Sequence, residues 1–184
     1  MTEPLPGHVV GVSRDDAHRF SKPARDSITL IAGIGVEGDS HAGVTVQHLS
    51  RIRRDPTTPN LRQVHLIHAE LFAEVAARGH VVTPGALGEN ITTAGIDLLD
   101  LARGTRIELG EDAVIEITGL RNPCAQINGL SEGLMKELVH VDDRGATVRL
   151  AGVMSVVLTG GVVRPGDSIR VLPPAGRFEP LQPV

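Results

Sequence analysis

Alternating apolar and polar residues predict β-strands along much of the chain. In Ala113–Thr118, Val114, Glu116 and Thr118 fall on one face, and Ile115 and Ile117 fall on the other. This period of two, with many β-branched residues, is typical of a strand buried on one side. Similar β-branched composition marks further segments. They are His8–Ser13, Ser27–Val36, Gln63–His68, Thr105–Gly110, Ala146–Gly161 and Asp167–Leu172. The predicted strand that begins at Ala113 continues to Leu120.

Turn residues separate these predicted strands. Gly110–Asp112 is predicted to be a hairpin connector, and Pro165–Gly166 a turn before the last strand. Arg53–Arg62 is predicted to be a loop because prolines, threonines and an asparagine interrupt any period. The tail Pro173–Val184 is also predicted to be a loop, since prolines cannot donate hydrogen bonds to a sheet.

Helical spacing of apolar residues predicts two helices. One spans His68–Arg78, where Gly79 can end it, and the other spans Ser131–Val139, with Ser131 as N-cap. Many short strands without regular strand–helix alternation favour a mainly β fold, an antiparallel β-barrel decorated with a few helices, over a parallel α/β sheet. We expect Ile115 and Ile117 to fill a shared barrel interior with two residues of a neighbouring strand. These are Val148 and Leu150.

Composition adds limits on function. The 184 residues suit one domain over residues 1–184, and 41% are hydrophobic, as in ordinary globular proteins. Only 2% are aromatic and the net charge is -4, with one basic block at Arg51, Arg53 and Arg54. Aromatic platforms and basic surfaces for nucleic acid are therefore not indicated.

Targeting signals are also not indicated by the sequence. The segment MTEPLPGHVV lacks the apolar core of a signal peptide, and no apolar run reaches the length of a membrane span. The single cysteine cannot form an internal disulfide. We therefore expect a cytoplasmic protein with no membrane partner.

That cysteine, Cys124, is the first candidate for chemistry. It lies in GLRNPCAQIN, at the predicted end of a strand, directly after Arg121, Asn122 and Pro123. Pro123 fixes the backbone on entry, and Arg121 brings a permanent positive charge. The thiol is either buried and inert, as free cysteines often are, or a soft ligand for a metal or a nucleophile.

Two glycine-rich segments could contact an anionic ligand. VEGDSHAG carries Asp39 and His41 and is either a plain turn or a backbone loop close to an anion. PGALGENITTAG carries Glu89, Asn90 and Thr92. It is either a simple connection or a loop that holds a polar heterocycle or phosphate, but it lacks the ending of a P-loop.

Other active-site classes have weaker support. Eight histidines suggest zinc, yet no Cys-x-x-Cys or His-Glu-x-x-His motif is present, so we do not expect a structural zinc site. A hydrolase with Cys124 as nucleophile is compatible with the composition, but no histidine is identified as its base.

The order of five segments resembles a MOSC domain, the family named for the C-terminal domain of molybdenum cofactor sulfurases. The likeness covers about residues 22–172 and leaves 173–184 as a proline-rich tail. The GEN segment and the cysteine preceded by proline are the most specific marks. The segments are GVEGDSHAG, RQVHLIHAELF, PGALGENITTAGIDLLDLARGTRIELG, IEITGLRNPCAQI and GVVRPGDSIRVL.

The resemblance implies a barrel-like β fold that binds molybdenum cofactor (Mo-molybdopterin). In the mitochondrial amidoxime-reducing proteins the cysteine that matches Cys124 bonds Mo, so Cys124 is expected to be both the catalytic residue and the metal ligand. Three basic residues are candidates for the cofactor phosphate: Lys22, Arg62 and Arg121. The expected cofactor-binding residues are Asp39, His41, Glu89, Asn90, Thr92, Arg121 and Asn122.

Small stand-alone bacterial MOSC proteins are linked to reduction of N-hydroxylated bases. The resemblance therefore implies an oxidoreductase for small N-hydroxylated compounds, with electrons from a separate reductase protein. Two alternatives stay open: a carrier of the cofactor or of sulfur that uses Cys124, and a barrel with an inert cysteine. The oligomeric state also stays open, with a homodimer as one option.

Overall fold

The computed structural model describes residues 7–184. Residues 1–6, which begin the segment MTEPLPGHVV, lie outside this part. The helices are α1 (Leu49–Arg54), α2 (Glu70–Ala76) and α3 (Leu134–Leu138), and Ala125–Gly129 form a 3-10 helix. The strands are β1 (His8–Ser13), β2 (Ala24–Arg25), β3 (Ile28–Ile31), β4 (Gly35–Val36), β5 (Val64–His68), β6 (Ile91–Ala94), β7 (Arg106–Leu109), β8 (Ala113–Leu120), β9 (Val139–Val141), β10 (Thr147–Arg149), β11 (Val153–Thr159), β12 (Gly161–Val163) and β13 (Ile169–Leu172).

The main sheet has eight strands in the order β13-β7-β8-β11-β5-β6-β1-β2. Its neighbours are antiparallel except β5 and β6, which run parallel and are connected through α2. A three-stranded sheet, β12-β3-β4, and the hairpin β9–β10 complete the strands. The predicted connector Gly110–Asp112 does join the antiparallel pair β7 and β8.

The mainly β class is confirmed, but the closed barrel is wrong for the described residues. The main sheet is open, with β13 and β2 as its edge strands. The edge of β1 opposite β6 is divided: Val12 and Ser13 pair with β2, whereas His8 forms a single antiparallel bridge to Ser168. No continuous ladder therefore joins β1 to β13.

The main core lies on the inner face of this sheet. Ile115 and Ile117 are buried there, as expected. Val148 and Leu150 are only half-buried, and Leu150 packs against the smaller cluster around α2 and α3. The expected shared interior is therefore wrong, because the segment breaks after β10. Gly152 (φ 85°) turns the chain there, and a Cβ at this position would collide with the carbonyl oxygen of Leu66.

The two predicted helices exist but are shorter than expected. α3 begins after Gly133, and Ser131 is not its cap: Ser131 Oγ is 2.7 Å from His80 Nδ1. α1 was not predicted and overlaps the start of the expected loop at 53–62.

The tail after β13 contains no helix or strand but is attached to the sheet. Leu181 is buried, and the Leu120 N–H donates to Gln182 O at 2.8 Å. Within residues 7–184, no helix is long and apolar enough to cross a membrane.

Candidate functional site

A cleft of about 390 Å³ lies where loops from several strands converge. This volume is within the range of small-molecule sites. The contributing segments are the β1–β2 connection, the loop from β4 into α1, the start of α1, the segment that enters β5 together with β5 itself, the entry to β6, the exit of β8 with the following 3-10 helix, and β11. The lining residues are His18, Arg19, Phe20, Lys22, His41, His48, Leu49, Ser50, Arg51, Arg62, His65, Gly88, Asn90, Arg121, Asn122, Pro123, Cys124, Gln126 and Met154.

Cys124 reaches the cleft because β8 ends just before it. The Arg121 N–H donates to Gly152 O at 2.9 Å, which holds the exit of β8 against the turn into β11. Cys124 itself has an extended backbone and precedes the 3-10 helix. Its side chain is half-buried, and its Sγ is 3.6 Å from Gln126 Oε1. The thiol is therefore accessible from the cleft and is not enclosed in the apolar core.

Arg121 is a buried cation beside this thiol. The residue is 8% exposed, and its guanidinium carbon lies 5.5 Å from the centre of the Phe20 ring. Burial lowers the pKa of Arg121, although Cys124 and Glu89 oppose this effect. Among the described residues, Nη1 of Arg121 has no hydrogen-bond partner. A buried donor without an acceptor is costly, so this atom is a good candidate to meet a ligand.

Beneath the cleft, Lys22, Asp39 and Asn90 form a buried set that we call the floor network. Lys22 Nζ is 2.8 Å from Asp39 Oδ2, and Asn90 Nδ2 donates to the same oxygen at 3.0 Å. The backbone N–H groups of His41 and Asp15 also donate to the Asp39 carboxylate. Burial alone would raise the pKa of Asp39, but the hydrogen bond from His41 and the charge of Lys22 hold it below its ordinary value.

The floor network also ties together the elements around it. Asn90 Nδ2 donates to Ser13 O at 3.1 Å, and Asn90 Oδ1 accepts from the His65 N–H at 3.2 Å. The single side chain of Asn90 thus joins the ends of β1, β5 and β6 to the loop that carries Asp39. Its polar atoms are satisfied by protein groups, which is the pattern of a structural network.

Glu89 and Thr92 lie below the cleft and do not line it. Glu89 Oε1 accepts from the Gly85 N–H at 2.7 Å and from Thr92 Oγ1 at 3.0 Å. Burial raises the pKa of Glu89. Gly88 (φ 83°) needs glycine here, because a Cβ would lie 2.6 Å from Phe20 O. The GEN segment thus packs tightly under the loop that carries Phe20 and Lys22.

The cleft lining is strongly cationic, and the described residues that form it include no Asp or Glu. Two of its cations are paired: Arg19 with Asp15 at 2.6 Å, and Lys22 with Asp39. The other three are Arg51, Arg62 and Arg121, which we call the cationic wall. Within residues 7–184, none of these three forms a salt bridge to a carboxylate. Such uncompensated charge fits an anionic ligand.

Histidines complete the cleft. The ring centres of His41 and His18 are 5.6 Å apart, and those of His41 and His48 are 6.3 Å apart. Burial lowers the pKa of His41, against the opposing effect of Asp39. Burial also lowers the pKa of His48, and Arg62 adds to this shift. His41 and His48 are therefore mainly neutral at neutral pH and add little positive charge to the cleft.

The structure divides the predicted site residues into two sets. His41, Asn90, Arg121, Asn122 and Cys124 line the cleft, whereas the side chains of Asp39, Glu89 and Thr92 lie underneath. Of the phosphate candidates, Arg62 and Arg121 are unpaired and Lys22 is held by Asp39. Several lining residues were not anticipated from the sequence. They are His18, Arg19, Phe20, His48, Arg51, His65, Gln126 and Met154.

Among the described residues, no group of three or more His, Cys, Asp or Glu is placed to hold a metal ion. A metal at Cys124 would therefore need further ligands from a bound group. The thiol is soft and suits a soft metal.

The MOSC domain family model matches residues 44–170. The crystal structure of YuaD protein from Bacillus subtilis superposes with a TM-score of 0.73 at 26% identity, covering 93% of this chain and 98% of that one. YiiM from Escherichia coli gives a TM-score of 0.61 at 20% identity, covering 96% and 74%. YiiM from Geobacillus stearothermophilus gives 0.55 at 18%, covering 91% and 74%. At these identities the two YiiM structures indicate the fold alone. No curated protein sequence matches significantly.

Proposed function

The chain belongs to the MOSC domain family, and we propose that it binds molybdenum cofactor and reduces N-hydroxylated compounds with electrons from a separate reductase. The observation that carries this proposal is the cleft itself, which combines one accessible thiol with three guanidinium groups that form no salt bridge to any Asp or Glu of residues 7–184. The thiol must stay reduced in this role, which fits the cytoplasm.

The residues present fit such a cofactor. Cys124 offers one soft ligand to the metal, and its neighbour Arg121 has a buried N–H without a protein acceptor that suits a phosphate or another anionic group. His41 and Asn122 supply further polar contacts from the cleft wall, whereas Asn90, whose polar atoms bond to protein groups, holds the neighbouring loops in place. Asp39, Glu89 and Thr92 would act indirectly, by fixing the loops that carry these contacts. When bound, the cofactor would supply a two-electron redox centre.

The overall reaction is balanced by two electrons and two protons. The N–O bond breaks, the electrons come from the reductase protein, and the products are the N–H compound and water. This chain can help to deliver protons through His41. Its Nδ1 is 3.4 Å from Asp39 Oδ1, which leaves Nε2 as the nitrogen for proton exchange at the cleft.

Metal analysis and an activity assay test this proposal together. The protein is expressed in a molybdenum-replete host and purified gently, and its molybdenum and pterin contents are measured. Reduction of benzamidoxime is then followed with a reductase partner. We expect near-stoichiometric molybdenum and turnover, both lost in Cys124→Ser. Protein without molybdenum overturns the proposal.

The same experiment separates the carrier function from the reductase. Molybdenum without turnover of any N-hydroxylated substrate indicates cofactor carriage. A persulfide on Cys124, detected by mass spectrometry, indicates sulfur carriage.

A further inference from the structure

The cationic wall is split between the interior of the cleft and its mouth. Arg121 is buried beside Cys124, at the exit of β8. Arg51 and Arg62 are half-buried and lie towards α1, whose neighbouring residues His48, Leu49 and Ser50 are exposed. We call Arg51 and Arg62 the outer arginines.

The outer arginines repel each other, and within residues 7–184 neither forms a salt bridge to an Asp or Glu. The pKa of Arg62 falls to about 10, first because of burial and then because of Arg51 and Arg121. Within residues 7–184, the Arg62 guanidinium makes one hydrogen bond, from Nη1 to Val184 O at 3.1 Å. The Arg51 side chain makes none. The outer arginines, together with His48 and Asn60, also line a small secondary cavity of about 10 Å³.

We propose that the outer arginines form a second anion subsite, which binds the phosphate monoester of an N-hydroxylated nucleotide and so makes nucleotides the preferred substrates. This inference rests on the proposed reductase function. Like charges held together with no carboxylate are destabilising unless a ligand neutralises them.

Arg121 and the outer arginines differ in how enclosed they are, and this difference suggests that they bind different ligands. One phosphate is bound well by a single bidentate guanidinium, so three unpaired guanidiniums exceed what one phosphate needs. Arg121 is enclosed next to the thiol, which suits a group that stays bound. The outer arginines lie beside the exposed start of α1, which suits a group that must enter and leave in each turnover.

Substrate preference tests the subsite. The kcat/KM for N4-hydroxycytidine 5′-monophosphate is compared with that for N4-hydroxycytidine in the cofactor-loaded protein. We expect the wild type to prefer the nucleotide by at least about tenfold, because hydrogen bonds between charged groups are stronger than neutral ones. Arg51→Gln and Arg62→Gln should each reduce this ratio at least about fivefold. The matched control is Arg54→Gln, on the same helix but exposed and outside the cleft, which should keep the ratio.

Two further measurements distinguish the alternatives. Molybdenum and pterin contents are measured in each variant: a loss in Arg51→Gln or Arg62→Gln would assign the outer arginines to the cofactor phosphate and overturn the inference. Binding of unmodified CMP to cofactor-free protein is measured by calorimetry at low salt. If reductase activity is never found, CMP binding that Arg51→Gln weakens and Arg54→Gln preserves still supports the subsite. Equal kcat/KM for the two substrates in an active wild type, or no CMP binding in an inactive one, overturns it.

Discussion

The floor network and the cationic wall belong to one cleft, but their charged side chains differ in whether they have partners within the protein. In the floor network, the buried Lys22 ammonium faces the Asp39 carboxylate, whose side chain is 0% exposed, and every partner comes from the protein. In the cationic wall, no Asp or Glu within residues 7–184 forms a salt bridge with a guanidinium group, although the buried Glu89 interacts electrostatically with Arg121. The comparison indicates two different roles. Buried charges that are paired within the protein stabilise the fold, whereas charges without a protein partner are available to bind a ligand.

Removing the charge of Asp39 should have the largest effect on stability of any substitution in the cleft. Asp39→Asn keeps the shape of the side chain but leaves Lys22 buried without a counter-charge. We expect the free energy of unfolding to fall by about 3–5 kcal/mol, the usual loss when one partner of a buried ion pair is removed. Urea denaturation followed by circular dichroism measures it.

Asp16→Asn serves as the control. Asp16 is exposed, and its carboxylate lies 3.9 Å from Arg19, so its substitution should change the free energy of unfolding little. Adding Lys22→Met to Asp39→Asn should recover part of the loss, because it removes the stranded charge. A loss below about 1 kcal/mol in Asp39→Asn would show that the floor network is not the scaffold.

Cys124 lines the same cleft, and its substitution should separate function from folding. Cys124→Ser replaces a soft thiolate with a hard hydroxyl at a half-buried position. We expect at least about 100-fold less N-hydroxyl reduction and little bound molybdenum, with the free energy of unfolding changed by less than about 1 kcal/mol. Full activity in this variant would end the metal-ligand assignment. A stability loss with unchanged activity would indicate an inert core thiol.

The fold was predictable where local pattern and tertiary packing agree. Ile115 and Ile117 alternate with polar residues and are buried as expected. The pattern could not show where a long β-branched run turns, so Ala146–Gly161 was treated as continuous although the chain turns at Gly152. Nor could it reveal the parallel pair β5–β6, because strand direction depends on the path of the intervening connection.

The site was predictable only in part, for a related reason. Glycine and proline breaks marked the loops that bring His41, Asn90 and Cys124 to one cleft, while their roles in binding stay predictions. Sequence alone could not distinguish Asp39, which supports the cleft from below, from His41, which lines it, since both belong to one loop. Arg51 was visible only as part of a basic block, and its separation from Arg53 and Arg54 depends on which side of α1 meets the cleft.

Substitution of Arg121 should have the opposite pattern to substitution of Asp39: a large effect on cofactor binding and a small effect on stability. Arg121→Met removes a buried charge without a carboxylate partner and fills the space with an apolar chain. The cost of desolvating the guanidinium disappears, while a desolvated cation–π contact with Phe20 of about 2 kcal/mol is lost. We therefore expect the free energy of unfolding to stay within about 1 kcal/mol of the wild type, while bound molybdenum cofactor falls at least about tenfold.

Thermal denaturation and pterin analysis of the same Arg121→Met preparation check both parts. Arg19→Met is the control for removing a cleft arginine, because the Arg19 guanidinium is already paired with Asp15 in the wild type. This variant should retain more cofactor than Arg121→Met. Collapse of the Arg121→Met fold would place Arg121 in the scaffold instead of the cationic wall.

His65 gives the smallest and most selective test, because it is a scaffold residue that lies next to the cationic wall. Its buried ring donates from Nε2 to Ala151 O at 2.8 Å, and burial, reinforced by Arg121, lowers its pKa well below the ordinary value. Between about pH 6.5 and pH 5 the unfolded imidazole therefore binds a proton that the folded one does not. The free energy of unfolding must then fall as the pH falls, by at most about 1.4 kcal/mol per pH unit for this group. Carboxylates with lowered pKa values contribute mainly at lower pH. Glu89, whose pKa burial raises, and the other histidines titrate in the wild type and in the variant alike, so the contribution of His65 is the difference between the two.

Substituting His65 should flatten this pH dependence. His65→Gln keeps a donor for Ala151 O but cannot take up a proton. We expect its stability to decline less steeply over this window than that of the wild type, by about 1–2 kcal/mol in total, in urea titrations at several pH values. His140→Gln, on the exposed part of the β9–β10 hairpin, controls for the substitution itself. Identical slopes for His65→Gln and the wild type would mean that the folded imidazole accepts its proton as readily as the unfolded one, and that the cationic wall does not act on the scaffold beside it.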